Sequence, residues 1–206
     1  VPIDIRPGVN SSSPIEFTPM GDTLFFIADN GSAGPALMKL ESGASSATLV
    51  MDVYSPDNLP DRSPEVWQLT VVDNRRLFFV AESAAHGWEL WTSDGTPFDP
   101  QLPETTGAQV IDILPEFELV YDEASDEYLV DRSSPESSDP SELTAIGDTL
   151  YFSAYSFEMD TIWVEGSEIW VSGTGFGREP WKITVAGDGS YTAAQRIDIN
   201  LQDEGW

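Results

Sequence analysis

The chain has 206 residues, of which 40% are hydrophobic, and its seven Trp, six Tyr and ten Phe are enough to fill the core of one or two ordinary domains. Thirty-six acidic side chains against nine basic ones give a formal charge of −27, which repels phosphate backbones and anionic lipid surfaces and excludes nucleic acid as an expected partner. With no cysteine there is neither a disulfide nor a thiolate metal site, and no apolar run approaches the roughly 18 residues of a membrane-spanning helix.

The 16 Gly and 15 Pro are scattered between short runs of Val, Ile, Thr, Tyr, Phe and Trp, a composition of strands and turns that makes all-β the expected class. So acidic a surface suits a saline or calcium-rich exterior, where the screening length falls to about 8 Å or less. It equally suits a plain solvated face. Val1 is followed by no charged and apolar leader, so the N-terminus reads as processed or cut.

In chain order, Asp4-Ile5 matches the ends of later segments, and Ile3 to Ile5 is expected to be a strand that pairs beside the first unit or a neighbouring one. Pro14 to Pro19 and Thr23 to Ala28 predict a hairpin about Gly21-Asp22, the second strand buried on both faces. Leu37 to Leu40 and Ala47 to Val53 complete a four-stranded antiparallel sheet. The order repeats with Pro64 to Thr70, a turn at Asp73-Asn74, Arg76 to Ala81, Trp88 to Thr92, and Gln109 to Ile113. Leu24-Phe25-Phe26, Leu77-Phe78-Phe79 and Leu150-Tyr151-Phe152 anchor three units at spacings of 53 and 73 residues. Ala28, Ala81 and Ala154 follow at the same offset and predict faces where sheets approach closely.

The units span about 4–53, 54–113 and 141–199, and 114–140 reads as an inserted hairpin, Glu118 to Tyr121 and Tyr128 to Asp131 about an acidic turn. Thr161 to Val164 and Glu168 to Val171 predict a second insertion. Units of about 45 to 60 residues with four short strands are the pattern of propeller blades. Three blades cannot close a ring, so a larger propeller or head-to-tail packing of chains is expected.

Gly87-Trp88-Glu89-Leu90-Trp91-Thr92-Ser93-Asp94-Gly95-Thr96, with a Leu-Phe-Phe-x-Ala strand before it and an Asp-Ile end after it, resembles the ELWxxDGT repeat family of bacterial secreted or surface-associated proteins. Only the middle unit carries the whole motif. The first has Gly34-Pro35-Ala36-Leu37-Met38; the third has Gly177-Arg178-Glu179-Pro180-Trp181, with Ala186-Gly187-Asp188-Gly189 in place of the turn. The resemblance implies a propeller-like β fold and no established catalytic residue.

Nucleophilic catalysis needs a base, and His86 is the one imidazole, in a loop between strands. The Asp94-Gly95 turn reads as structural, because Asp caps amides and Gly accepts a positive φ. Calcium takes six to eight oxygen ligands, and its candidate ligands are Asp94 with Asp99 and, at the tip of the inserted hairpin, Asp122, Asp126 and Glu127. A solvated acidic loop accounts for the same residues. Trp91, Trp170 and Trp181 fit the core, whereas Trp88 and Trp163, with Tyr121 and Tyr128 on the inserted hairpin, are the candidate contact residues for a glycan or another chain. The expectation is a non-catalytic binding or assembly module, secreted or at the cell surface. The alternatives are a carbohydrate-active enzyme using two loop carboxylates and a calcium-stabilised structural module.

Overall fold

A computed structural model describes residues 2–31, 34–51, 66–83, 86–97, 99, 107–113, 118–122, 127–131, 137–164 and 167–197, and side chains for all of these except 118–122, 127–131 and 156–176. Among the described residues there is no helix, so none is long and apolar enough to cross a membrane. The first sheet holds β1 (Ile15–Met20), β2 (Thr23–Asp29), β3 (Pro35–Glu41) and β4 (Thr48–Met51), paired in sequence order and antiparallel. The second holds β5 (Val66–Val72), β6 (Arg76–Ser83), β7 (Gly87–Ser93) and β8 (Gln109–Ile111) in the same order. The hairpin β9 (Glu118–Asp122) and β10 (Glu127–Asp131) follows, with Tyr121 opposite Tyr128. The third sheet holds β11 (Ser141–Ile146), β12 (Thr149–Val164), β13 (Ser167–Thr184) and β14 (Gln195–Arg196). The array of three sheets does not close on itself.

Tight turns at left-handed positions make these meanders possible. Gly21 (φ 60°) and Gly147 (φ 61°) open the first hairpins of sheets one and three, and Asp73 (φ 48°) and Asn74 (φ 55°) do the same in sheet two. The sheets stack because each central strand is apolar on both faces. Phe25, Ile27, Leu37 and Val50 of sheet one pack with Leu69, Leu77, Phe79 and Ala81 of sheet two. Phe78, Leu90 and Val72 on the other face of sheet two pack with Leu150, Phe152, Ala154 and Ile183 of sheet three. A third cluster, Phe26, Ala28, Ala36 and Met38, lies on the far side of sheet one, and Ile5 packs against it.

Four expectations are corrected here. Ile3 to Ile5 forms no strand: Ile5 covers the far side of sheet one as a single apolar side chain, and Arg6 forms an ion pair with Asp29. The second insertion is not a separate hairpin. Thr161 to Val164 and Glu168 to Val171 are the continuation of β12 and β13, whose pairing runs past irregularities near Phe157 and Met159 out to Val164 and Ser167. The fourth strand of sheet two stops at Ile111, short of Ile113. The third unit does keep an Asp-Gly turn: Ser190 N donates to Asp188 Oδ1 at 2.9 Å with Gly189 at φ 85°, as Thr96 N donates to Asp94 Oδ1 at 2.8 Å with Gly95 at φ 86°. The expected unit ends at Asp52-Val53 and Asp198-Ile199 lie outside the described residues.

The three alanines are buried at 0–1% exposure, Ala81 and Ala154 where two sheets meet and Ala28 on the far side of sheet one beneath Ile5. Their smallness has a direct use in sheets two and three. Trp91 Nε1 donates to the carbonyl of Ala81 at 3.1 Å, and Trp181 Nε1 to that of Ala154 at 3.3 Å, so each indole lies over its alanine.

Candidate functional site

Sheets one and two each join the next through one irregular residue of the first strand, and sheet three carries the equivalent residue. Glu16, Gln68 and Glu142 have φ of 56°, 59° and 58°, a left-handed conformation that non-glycine residues adopt at a cost of about 1–2 kcal/mol. The register of β1, β5 and β11 against its hairpin partner shifts at that residue. A bulge of this kind leaves backbone groups unpaired within the sheet and turns side chains outward. Here both consequences are used. Leu69 N donates to Glu16 Oε2 at 3.3 Å, and Leu143 N donates to Gln68 Oε1 at 3.0 Å. Two residues on, Thr18 Oγ1 lies 3.4 Å from the Leu69 carbonyl and Thr70 Oγ1 lies 3.5 Å from that of Leu143, each also donating to its own strand at 3.0 Å. The same pair of groups, Glu142 and Thr144, stands exposed on sheet three.

A second junction is built on Glu89, which lies within the resemblance motif. Its side chain is 0% exposed; Oε1 accepts from Ser138 N at 2.7 Å, and Oε2 from Ser138 Oγ at 2.6 Å and Ile113 N at 3.3 Å. Ile113 precedes the inserted segment and Ser138 lies near its end, so one carboxylate ties its two roots. Burial pushes the carboxyl up to about 7, against the three hydrogen bonds, which favour the charged form, and with a further push from Asp112. Such a value is what a general acid needs. Full burial keeps Glu89 away from any substrate, so its role here is to hold the insertion.

Of the candidate contact residues, Trp88 is half-buried and stacks on Trp67 at 4.5 Å with planes 9° apart. Its backbone N–H donates to Ser137 Oγ at 2.8 Å. Tyr121 and Tyr128 face each other in register on β9 and β10, and Trp163 pairs with Glu168 near the tip of the β12–β13 arm; the side chains of all three lie outside the described residues. The inserted hairpin returns to sheet three, with β9 lying beside β13.

Of the candidate calcium ligands, Asp94 is spent on its own turn. Burial works against its charge, but the hydroxyl and amide of Thr96 and the nearby Arg76 outweigh this and hold its carboxyl below the usual range. Asp99 is half-buried; the side chains of Asp122 and Glu127, and all of Asp126, lie outside the described residues. Among the described residues no group of three or more His, Asp or Glu could hold a metal ion. His86 Nδ1 lies 3.7 Å from Asp112 Oδ2.

The bulge residues were missed from sequence, although a signal was present. Ile15-Glu16-Phe17-Thr18, Trp67-Gln68-Leu69-Thr70 and Ser141-Glu142-Leu143-Thr144 share an acceptor, a large apolar residue and a threonine at one offset. No family model, no curated protein and no solved structure matches this chain.

Proposed function

We propose that the chain is a non-catalytic binding or assembly module of propeller-like architecture, acting at the cell surface or outside the cell. One observation carries this reading: a stack of sheets, joined by repeated side-chain-to-backbone bonds, carries two excursions, β9–β10 and the β12–β13 arm, with β9 beside β13. Loops on a rigid scaffold are where recognition is commonly placed. The resemblance to the ELWxxDGT repeats and the charge of −27 agree with an extracellular setting. The partner is another protein chain or a glycan.

The test is to measure binding to a panel of immobilised glycans and then assay any bound glycan for hydrolysis. Binding or self-association without product is expected. Efficient release of sugar overturns the reading in favour of a carbohydrate-active enzyme. A melting temperature that rises strongly with calcium and falls with chelator transfers it to a calcium-stabilised module.

A further inference from the structure

The first and third sheets end the stack with surfaces that correspond to the two sides of its internal junctions. In those junctions the donating side offers an acceptor side chain and a threonine, Glu16 with Thr18 or Gln68 with Thr70. The receiving side offers the backbone N–H and carbonyl of the apolar residue between the equivalent two, Leu69 or Leu143. On sheet three the donating side is complete and faces solvent. Glu142 and Thr144 are exposed, and Ile146, at the position where Met20 and Val72 pack against the following sheet, is 65% exposed. On sheet one the receiving residue is Phe17, 57% exposed, lying on the bulge of β1 beside the exposed Ile15.

We propose that the open face of sheet three receives sheet one of a second copy of this chain, head to tail, through the contacts that already join the sheets within one copy. Glu142 then accepts from Phe17 N of the second copy, and Thr144 meets the Phe17 carbonyl. Ile146 and Tyr151 close over the Phe17 side chain, which stacks on Phe26 of the outer face. The remaining junction also has its counterparts. Glu179 stands at the position of Glu89, and Ser12, whose carbonyl accepts from Asp29 N as that of Ser138 accepts from Tyr155 N, stands at the position of Ser138. The rest of the outer face of sheet one, Phe26, Ala28, Ala36 and Met38, is already buried within the chain, Ile5 among the residues packed on it, so seating is made at Phe17. An interface between unlike surfaces builds rings or filaments rather than closed pairs. Each copy carries a charge of −27, so salt favours the association by screening repulsion.

The inference rests on the assembly reading above, and its test separates the two. In sedimentation equilibrium the mass of the wild-type chain is expected to rise with protein concentration, and further at high sodium chloride. Phe17→Asp and Ile146→Asp, each checked for unchanged circular dichroism and melting, are each expected to remain monomeric. Mixed in equal amounts they form a pair that grows no further, because one intact head meets one intact tail. Glu142→Gln keeps association, as glutamine serves at position 68, whereas Glu142→Leu weakens it at least tenfold; this pair decides the matter should Phe17→Asp fail to fold. A wild-type chain that stays monomeric throughout, or single variants that associate like wild type, or a mixture that does not pair, overturns the proposal. A monomer that still binds glycan or another protein overturns only this inference, whereas turnover of a glycan removes the reading beneath it.

Discussion

Sheets two and three are built to one plan and meet different surroundings. Phe78 and Val80 of β6 are fully buried, Phe78 against sheet three, and the equivalent residues of β12 are Tyr151, 37% exposed, and Ser153. Val72 is buried where Ile146 is open, and Glu89 is enclosed where Glu179 is half-exposed. Backbone, bulge and turn repeat, while burial is set by whether a following sheet is present. The chain has answered this difference in its sequence: phenylalanine gives way to tyrosine, and valine to serine, on the outer face of sheet three, which no described sheet of the same chain covers. The contrast separates what a residue contributes to its own sheet from what it contributes to a junction.

The largest effect is expected from truncating the two equivalent aromatics. Phe78→Ala, in a filled core between two sheets, should cost about 3–5 kcal/mol, and Tyr151→Ala about 1 kcal/mol. Urea unfolding at low protein concentration, read as midpoint shifts at constant slope, measures both. Equal costs would mean that the open face of sheet three is packed from a direction outside the described residues.

Glu89 and Glu179 sharpen the comparison next. Glu89→Ala leaves the buried Ser138 and Ile113 amides without an acceptor and should cost about 2–4 kcal/mol, against less than about 1 kcal/mol for Glu179→Ala. The pH dependence isolates the charge. Because the folded-state pKa of Glu89 is raised from 4.5 to about 7, the folded chain binds the proton more tightly than the unfolded one. The resulting stability is fully present below pH 4.5 and is lost as pH rises through 7, a difference of about 3 kcal/mol at about 1.4 kcal/mol per unit. Acidification also relieves the repulsion among the other carboxylates, so the quantity to measure is wild type minus Glu89→Gln between pH 5 and 8. A flat difference would show that the three hydrogen bonds keep Glu89 ionised throughout.

Much of the fold was legible because its cause is local. Alternating apolar runs such as Thr23 to Ala28, bounded by Gly, Asp and Asn, specify strands and hairpins whatever lies around them, and the recurrence of Leu-Phe-Phe-x-Ala gave the number of sheets. The junctions were less legible, because they depend on neighbours. Nothing in Glu89 alone separates a buried staple from the surface glutamate of a repeat motif; its partners, Ile113 and Ser138, lie at the two ends of an insertion of unrelated sequence. Ile5 reads as a strand residue by analogy with Asp112-Ile113, yet works as an apolar plug on sheet one. The merging of the second insertion with β12 and β13 was hidden because Gly173, Gly175 and Gly177 look like breaks, while the backbone carries its pairing through them.

The Asp-Gly turns form a third pair. Gly95 and Gly189 have nearly the same φ, 86° and 85°, so Gly→Ala carries a similar left-handed strain of about 1–2 kcal/mol at each. Their neighbours differ. A Cβ on Gly95 would lie 2.9 Å from Cζ of the buried Phe25 of sheet one, whereas on Gly189 it would meet only the end of Arg76, 4.0 Å away. Gly95→Ala should therefore exceed Gly189→Ala by about 1–3 kcal/mol, the cost of overfilling a packed site. Phe25→Leu in the Gly95→Ala background should recover part of the excess, and no recovery would assign it to the turn itself.

The smallest effect bears most directly on the junctions. At Gln68 and Glu142 the backbone is left-handed to the same degree, and glycine removes that strain at either position. At Glu142 the side chain makes no junction among the described residues, so Glu142→Gly should stabilise the isolated chain by about 0.5–1 kcal/mol, the strain relief less the added freedom of the unfolded state. At Gln68 the same relief is offset by loss of the acceptor for Leu143 N, about 1 kcal/mol, so Gln68→Gly should be close to neutral. The two substitutions share a residue type, a φ and a place in the sheet, so the difference between their midpoint shifts isolates the bond that crosses from one sheet to the next. Equal shifts would mean that the crossing bond adds nothing and that apolar packing alone holds the sheets together.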